Sequence, residues 1–244
     1  MTTAATLYPK LGTVPVGNFF IPDSTQRHKL GEIIAVADPY WGGQEVIYLA
    51  IPTSTALKVG HAVVWDNTNN IVALPNTANL GMPVAFALNA VASDASNVQY
   101  GWFLVSGRFP AYSNASVAAA AAIGVVAAGQ LGAVANGKQI LNARVAAAAT
   151  TTVAKTNTNT QSGSTLLRCS SAGTDGWFVG VALTGTGIAA STVITAIDPD
   201  NRTVTMNNAA TATGSVTVTG TYNDGTAYWN VLTADRPFAQ GQTS

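Results

Sequence analysis

The chain has 244 residues, room for one large or two small domains. Apolar residues make up 48% of it, many of them Ala, while only 9% are charged and the formal net charge is zero. That balance argues against nucleic-acid binding, which needs a basic footprint to release phosphate counterions, and a single cysteine, Cys169, excludes an internal disulfide and a thiolate metal site.

Residues 1–43 show little periodicity. Pro9, Pro15, Pro22 and Pro39 break any helix, and Gly12, Gly17 and Gly31 loosen the chain further. The reading is an extended N-terminal arm with one short strand over Gly31–Ala37, of a type that lies on a neighbouring subunit because it has no core of its own. The opening MTTAATLYPKLG has no basic or apolar stretch of the secretory kind, so no signal peptide is expected. No run reaches the roughly 18 apolar residues of a membrane span.

Residues 44–148 read as a β-barrel-like core module. Short apolar runs (Glu45–Ile51, Ala62–Trp65, Ile71–Leu74, Pro83–Leu88, Tyr100–Val105) are separated by Asn, Thr, Gly, Ser and Asp. Asn67 to Asn70 predicts a hairpin turn. The Ala-rich Val117–Ala122 stretch is read as a short helix or turn leading into Gly-punctuated strands. Residues 149–163 are rich in Thr and Asn and read as a linker. Residues 164–222 form a small inserted, projecting β domain, with strands over Val193–Ile197 and Thr203–Met206 joined by a Pro-Asp turn. Residues 223–244 return to the first module as a closing strand, Tyr228–Leu232, and a C-terminal tail. The fold class is mainly β: a barrel- or sandwich-like module, an inserted small β domain and extended termini.

Two stretches carry a resemblance. The order VGHAVVWD, LPNTANLGMPVAFAL, YGWFLVSGR, with Gly60, Val63, Gly81, Pro83, Val84, Ala85, Gly101, Trp102, Val105 and Ser106-Gly107, resembles the capsid decoration (cement) proteins of tailed bacteriophages. Gly137-Lys138-Gln139, Ala143-Arg144 and the closing Trp229 to Gly241 extend the likeness over roughly residues 45–148 and 223–242, and residues from about 150 to 222 look inserted. The phrase from Leu183 to Gly220 separately resembles a module recurrent in phage structural and fibre proteins. The resemblance implies a structural virion protein, not an enzyme, that assembles in the host cytoplasm. It would decorate the capsid exterior and bridge major capsid proteins. Its partners would be the major capsid protein and itself, as a homotrimer first and a dimer second, with no nucleic acid and no membrane. The alternative is a fibre or tail-associated adhesin module that binds host-surface glycans.

Motifs for chemistry are weak. Gly185 to Ala190 fits a dinucleotide fingerprint, but the strand-like Ser191–Ile197 follows where a helix is required. Asp198-x-Asp200-Asn201 begins like a calcium loop and lacks its Gly and Glu. His28 and His61 are too far apart for a zinc site, and a triad of His61, Asp66 and a Ser has no nucleophile elbow. Glu32, Asp38 and Glu45 offer carboxylates with nothing to pair them for glycan cleavage. Cys169 reads as a buried structural thiol. No catalytic, cofactor-binding or metal residue is assigned. The tryptophans Trp65, Trp102 and Trp229 are expected in the core. Tyr40 and Trp41 are either an exposed anchor for a neighbouring subunit or a plug on a barrel end. Capsid or inter-subunit contacts are expected from Leu7, Tyr8, Leu11, Phe19, Phe20, Tyr40, Trp41, Arg236, Pro237 and Phe238.

Overall fold

A computed structural model describes residues 8–9, 22–170 and 173–241. All its regular elements are strands, and they fall into two compact units, one of residues 7–148 and 229–244 and the other of residues 149–228.

In the first unit, strands β1 (Tyr8–Pro9), β2 (Ile33–Asp38), β3 (Gly42–Ile51), β4 (Ala62–Trp65), β5 (Ile71–Ala73), β6 (Ala85–Ala87) and β7 (Gln99–Ser113) follow the sheet order β1-β2-β3-β7-β6-β4-β5. A bond from Ala50 N–H to Asn69 O (3.0 Å) brings β3 back to the β4–β5 turn, so the sheet curls on itself. The apolar run Glu45–Ile51 is continuous because both faces of β3 are covered. Val46 and Tyr48 pack with Val64, Phe86, Trp102 and Leu104 on one face. Ile47, Leu49 and Ile51 pack with Val63, Ala85, Phe103 and Val105 on the other. Each fully buried Val or Ile stabilises the unit by roughly 2 kcal/mol.

The β4–β5 turn forms where the Asn-rich run predicts it. Asp66 Oδ1 accepts from Thr68 N–H (2.8 Å), Thr68 Oγ1 (2.7 Å) and Asn70 N–H (3.0 Å), while Asn69 takes a positive φ of 63°. At Gly60, with φ 72°, a Cβ would lie 2.3 Å from Pro110 O, so only glycine lets these segments meet.

Strands β8 (Gly124–Ala127), β9 (Gln130–Gly132) and β10 (Ile140–Ala147) complete this unit with the closing strand Tyr228–Ala239, which pairs with β10 and β7. Of the two alternatives for the Ala-rich stretch, the structure takes the turn, at Ala119–Ala120 ahead of β8, and not the helix. Ala120 N–H donates to Val145 O (2.7 Å) and Val145 N–H to Ala121 O (3.0 Å), and pairing with β10 outweighs the local helix propensity of a run too short to nucleate.

The strand expected over Gly31–Ala37 forms as β2, and two expectations are corrected. Within the described residues 22–43, Asp23 and β2 join the sheet rather than lying out as an arm. Asp23 and Tyr100 exchange backbone bonds (2.8 and 2.9 Å), and β2 pairs with β3 along its whole length. Proline and glycine break helices, but they do not prevent a segment from adding to a sheet edge. The expected C-terminal tail is likewise strand through Ala239: Val84 N–H donates to Pro237 O (2.9 Å) and Ala239 N–H to Met82 O (2.8 Å).

The second unit is a closed six-stranded barrel in the order β11-β12-β15-β14-β13-β16. Its strands are β11 (Thr152–Thr160), β12 (Leu166–Arg168), β13 (Ala182–Gly185), β14 (Thr192–Asp198), β15 (Thr203–Met206) and β16 (Gly214–Thr221). The closing strand of the first unit is therefore β17. The segment read as a linker is strand β11, which pairs with β16 from Thr152↔Thr221 to Thr160↔Gly214. Its Thr residues are β-branched and suit a pleated surface as well as a loop. Leu167, Leu183, Ile194, Ile197, Val204, Met206 and Val218 form its buried apolar set.

Candidate functional site

Leu7, Leu11, Phe19 and Phe20 lie outside the described residues. Tyr8 sits in β1, opposite Ala37 of β2. The other five expected contact residues fall at two places in the first unit.

Tyr40 and Trp41 form the tip of the β2–β3 turn. Asp38, itself 6% exposed, holds the tip by accepting from Tyr40 N–H (2.7 Å) and Trp41 N–H (2.6 Å) through Oδ1. The Tyr40 and Trp41 rings meet edge to face at 4.6 Å, and the Arg108 guanidinium lies 5.8 Å from the Trp41 ring. Nearby, Gln44 Nε2 donates to Arg108 O (2.7 Å), and Gly107, with φ 117°, admits Gln44 where a Cβ would stand 2.7 Å from its Cγ. Tyr40 projects from this braced tip at 46% exposure.

Arg236, Pro237 and Phe238 lie in β17. Phe238 is opposite Leu141 of β10, and both side chains are exposed. Pro237 helps to wall an apolar pocket of about 120 Å³, together with Ile33, Ile47, Trp65, Pro83 and Val105. Arg236 closes one rim, with Nε 3.2 Å from Glu45 Oε2. Of the tryptophans expected in the core, Trp102 and Trp229 are buried, and Trp229 Nε1 donates to Val59 O (2.9 Å). Trp65 is only partly buried and serves as a pocket wall. Sequence reasoning missed this pocket because its walls come from five strands and one loop, and no local period reports such a meeting.

The histidines, carboxylates and cysteine considered above for chemistry are held by neighbours in the fold. His61 Nε2 lies 3.3 Å from Ala128 O, and its burial lowers its pKa. Asp66 is bound within its own turn, so the two do not form a relay. His28 packs on Tyr48 and Trp102 at ring distances of 5.2 and 5.0 Å, with Nδ1 3.5 Å from Glu32 Oε2. Asp38 caps the turn and Glu45 meets Arg236, so neither faces the other as a carboxylate pair. In the barrel, Lys155 is 5% exposed and donates from Nζ to Asp175 O (2.6 Å). Burial lowers the pKa of that amine and pushes the Cys169 thiol up to about 11. The Gly185 to Ala190 segment is the β13–β14 connection, with Gly187 at φ 76° and a strand after it. Asp198 caps the β14–β15 turn by accepting from Asn201 N–H (3.1 Å) and Asn201 Nδ2 (2.7 Å). Among the described residues, no three His, Cys, Asp or Glu side chains gather as a metal site would require.

No family model, curated protein or solved structure matches the chain.

Proposed function

We propose that the chain is a structural virion protein that decorates the outer surface of an icosahedral phage capsid and bridges major capsid proteins. The observation that carries this reading is a set of large apolar side chains left exposed on a chain with 9% charged residues. In the first unit Ile33, Tyr40, Leu141 and Phe238 are exposed, and an open apolar pocket lies beside Ile33. Leu141 and Phe238 are ladder partners and Ile33 and Pro237 line one pocket, and adjoining exposed apolar groups of this kind are where other macromolecules dock. A shell component gains strength from many modest contacts, because a symmetric lattice engages several at once. The resemblance of residues 45–148 and 223–242 to decoration proteins supplies the identity of the partner.

The test is sedimentation of the purified protein with decoration-free expanded capsids. Saturable co-sedimentation at a symmetry-related ratio is expected; a protein that stays in the supernatant at all concentrations overturns the reading.

One feature favours the adhesin reading as second. The outer wall of adjacent strands β11, β16 and β13 is uncharged and hydroxyl-rich, with Thr152, Thr156, Asn159, Ser215, Thr217 and Thr184 exposed. Such a wall offers neutral donors and acceptors of the kind that meet sugar hydroxyls. Glycan-array binding by the full chain, with no capsid binding, would favour it.

A further inference from the structure

We propose that the Tyr40 tip of one copy docks in the Ile33–Pro237 pocket of a second copy of this chain. The pocket holds about 120 Å³ between Ile33, Ile47, Trp65, Pro83, Val105 and Pro237. An apolar cavity of roughly 150 Å³ takes up benzene, so one aromatic ring is the occupant that this volume fits. Among the described residues of the first unit, two aromatic side chains are exposed, Tyr40 at 46% and Phe238 at 37%. Phe238 is set within the β10–β17 ladder opposite Leu141, whereas Tyr40 stands in a turn at the end of β2.

Tyr40 is also the side chain prepared for docking. The two bonds to Asp38 and the edge-to-face contact with Trp41 fix the tip before any partner arrives. Little ordering entropy then remains to oppose binding. The ring suits the apolar walls, and the phenol hydroxyl suits the Glu45–Arg236 pair on the rim.

The charges agree with the shapes. Arg108 stands beside the tip, exposed and with no carboxylate partner among the described residues. At the pocket, Glu45 meets Arg236 through Oε2, which leaves Oε1 for a second cation. An incoming tip therefore brings a cation to an acid that can accept it, and Tyr, Trp and Arg are the residues enriched at the centres of protein interfaces. Each copy offers one tip and one pocket, so two copies either exchange tips across a two-fold or join head to tail, closing into a ring or propagating according to the rotation.

The contact can be read on the protein alone, by analytical ultracentrifugation of the full chain. Wild type is expected to self-associate. Tyr40→Ser and Ile33→Glu, both at exposed positions, should each weaken association at least about tenfold. The deciding sample is an equimolar mixture of these two variants. One retains an intact pocket and the other an intact tip, so the mixture should recover a one-to-one pair. Arg108→Glu is a further variant expected to weaken association, should Ile33→Glu impair folding. A wild type that remains monomeric at every concentration, single variants that associate like wild type, or a mixture that stays monomeric would each overturn the proposal. Capsid binding is measured separately. A monomer that still co-sediments with capsids overturns this contact and leaves the capsid reading standing.

Discussion

Individual residues show where this low-charge chain keeps its stability. Gly60 cannot carry a side chain, since it combines a positive φ with backbone atoms 2.3 to 2.8 Å from the place of a Cβ. Gly60→Ala should cost roughly 3 kcal/mol or more, read by chemical denaturation. Trp229→Phe keeps most of the buried ring area but removes the donor to Val59 O. A loss of about 1–3 kcal/mol is expected from the stranded carbonyl and the smaller ring. Cys169 is buried and its thiol is pushed up to about 11, so it should resist a thiol reagent at neutral pH in the native state and react fully in denaturant. Rapid native labelling would contradict that environment.

Among the elements, the turns share one device. Asp66 is held by the Thr68 side chain, Asp94 by the Ser96 N–H and Asp198 by the Asn201 side chain, and each carboxylate is thereby kept below its usual pKa. A depressed folded-state pKa contributes stability that is present above the unfolded value, near 4, and lost as pH falls through the folded value. The thermal midpoint should therefore hold from neutral pH to about 5 and fall below about 4; a midpoint that rises on acidification would be inconsistent with these turns. Much of this level was legible in the sequence. Glu45–Ile51, Ala62–Trp65 and Thr203–Met206 all announce strands by β-branched and aromatic content, and Asn67 to Asn70 and Asp198 to Arg202 announce turns. Composition is ambiguous elsewhere. Thr152–Thr160 has the residues of a loop and the pairing of a strand, and the choice between helix and turn at the Ala run is decided by pairing with Val145 rather than by its own propensity. The Ile33–Pro237 pocket had no local signal at all, whereas the exposed Tyr40 tip could be suspected from an aromatic pair set among Pro39, Gly42 and Gly43.

At the scale of the whole molecule, the two units have separate cores and the second interrupts the connection between two paired strands. Ala147 of β10 and Val231 of β17 are ladder partners, so the chain leaves for the barrel and returns at neighbouring positions. Replacing residues 149–228 by a short Gly/Ser link should leave the first unit folded, with strand-type circular dichroism and a cooperative melt. Loss of cooperative unfolding in that variant would show that the first unit depends on the second. The closed barrel has a different consequence. A sheet with free edges invites other chains to extend it, and proteins usually deter this with charge. Here charge is scarce, but a ring of strands offers no unpaired backbone to copy. Within the barrel unit, closure thus replaces charge as the guard against edge-to-edge extension.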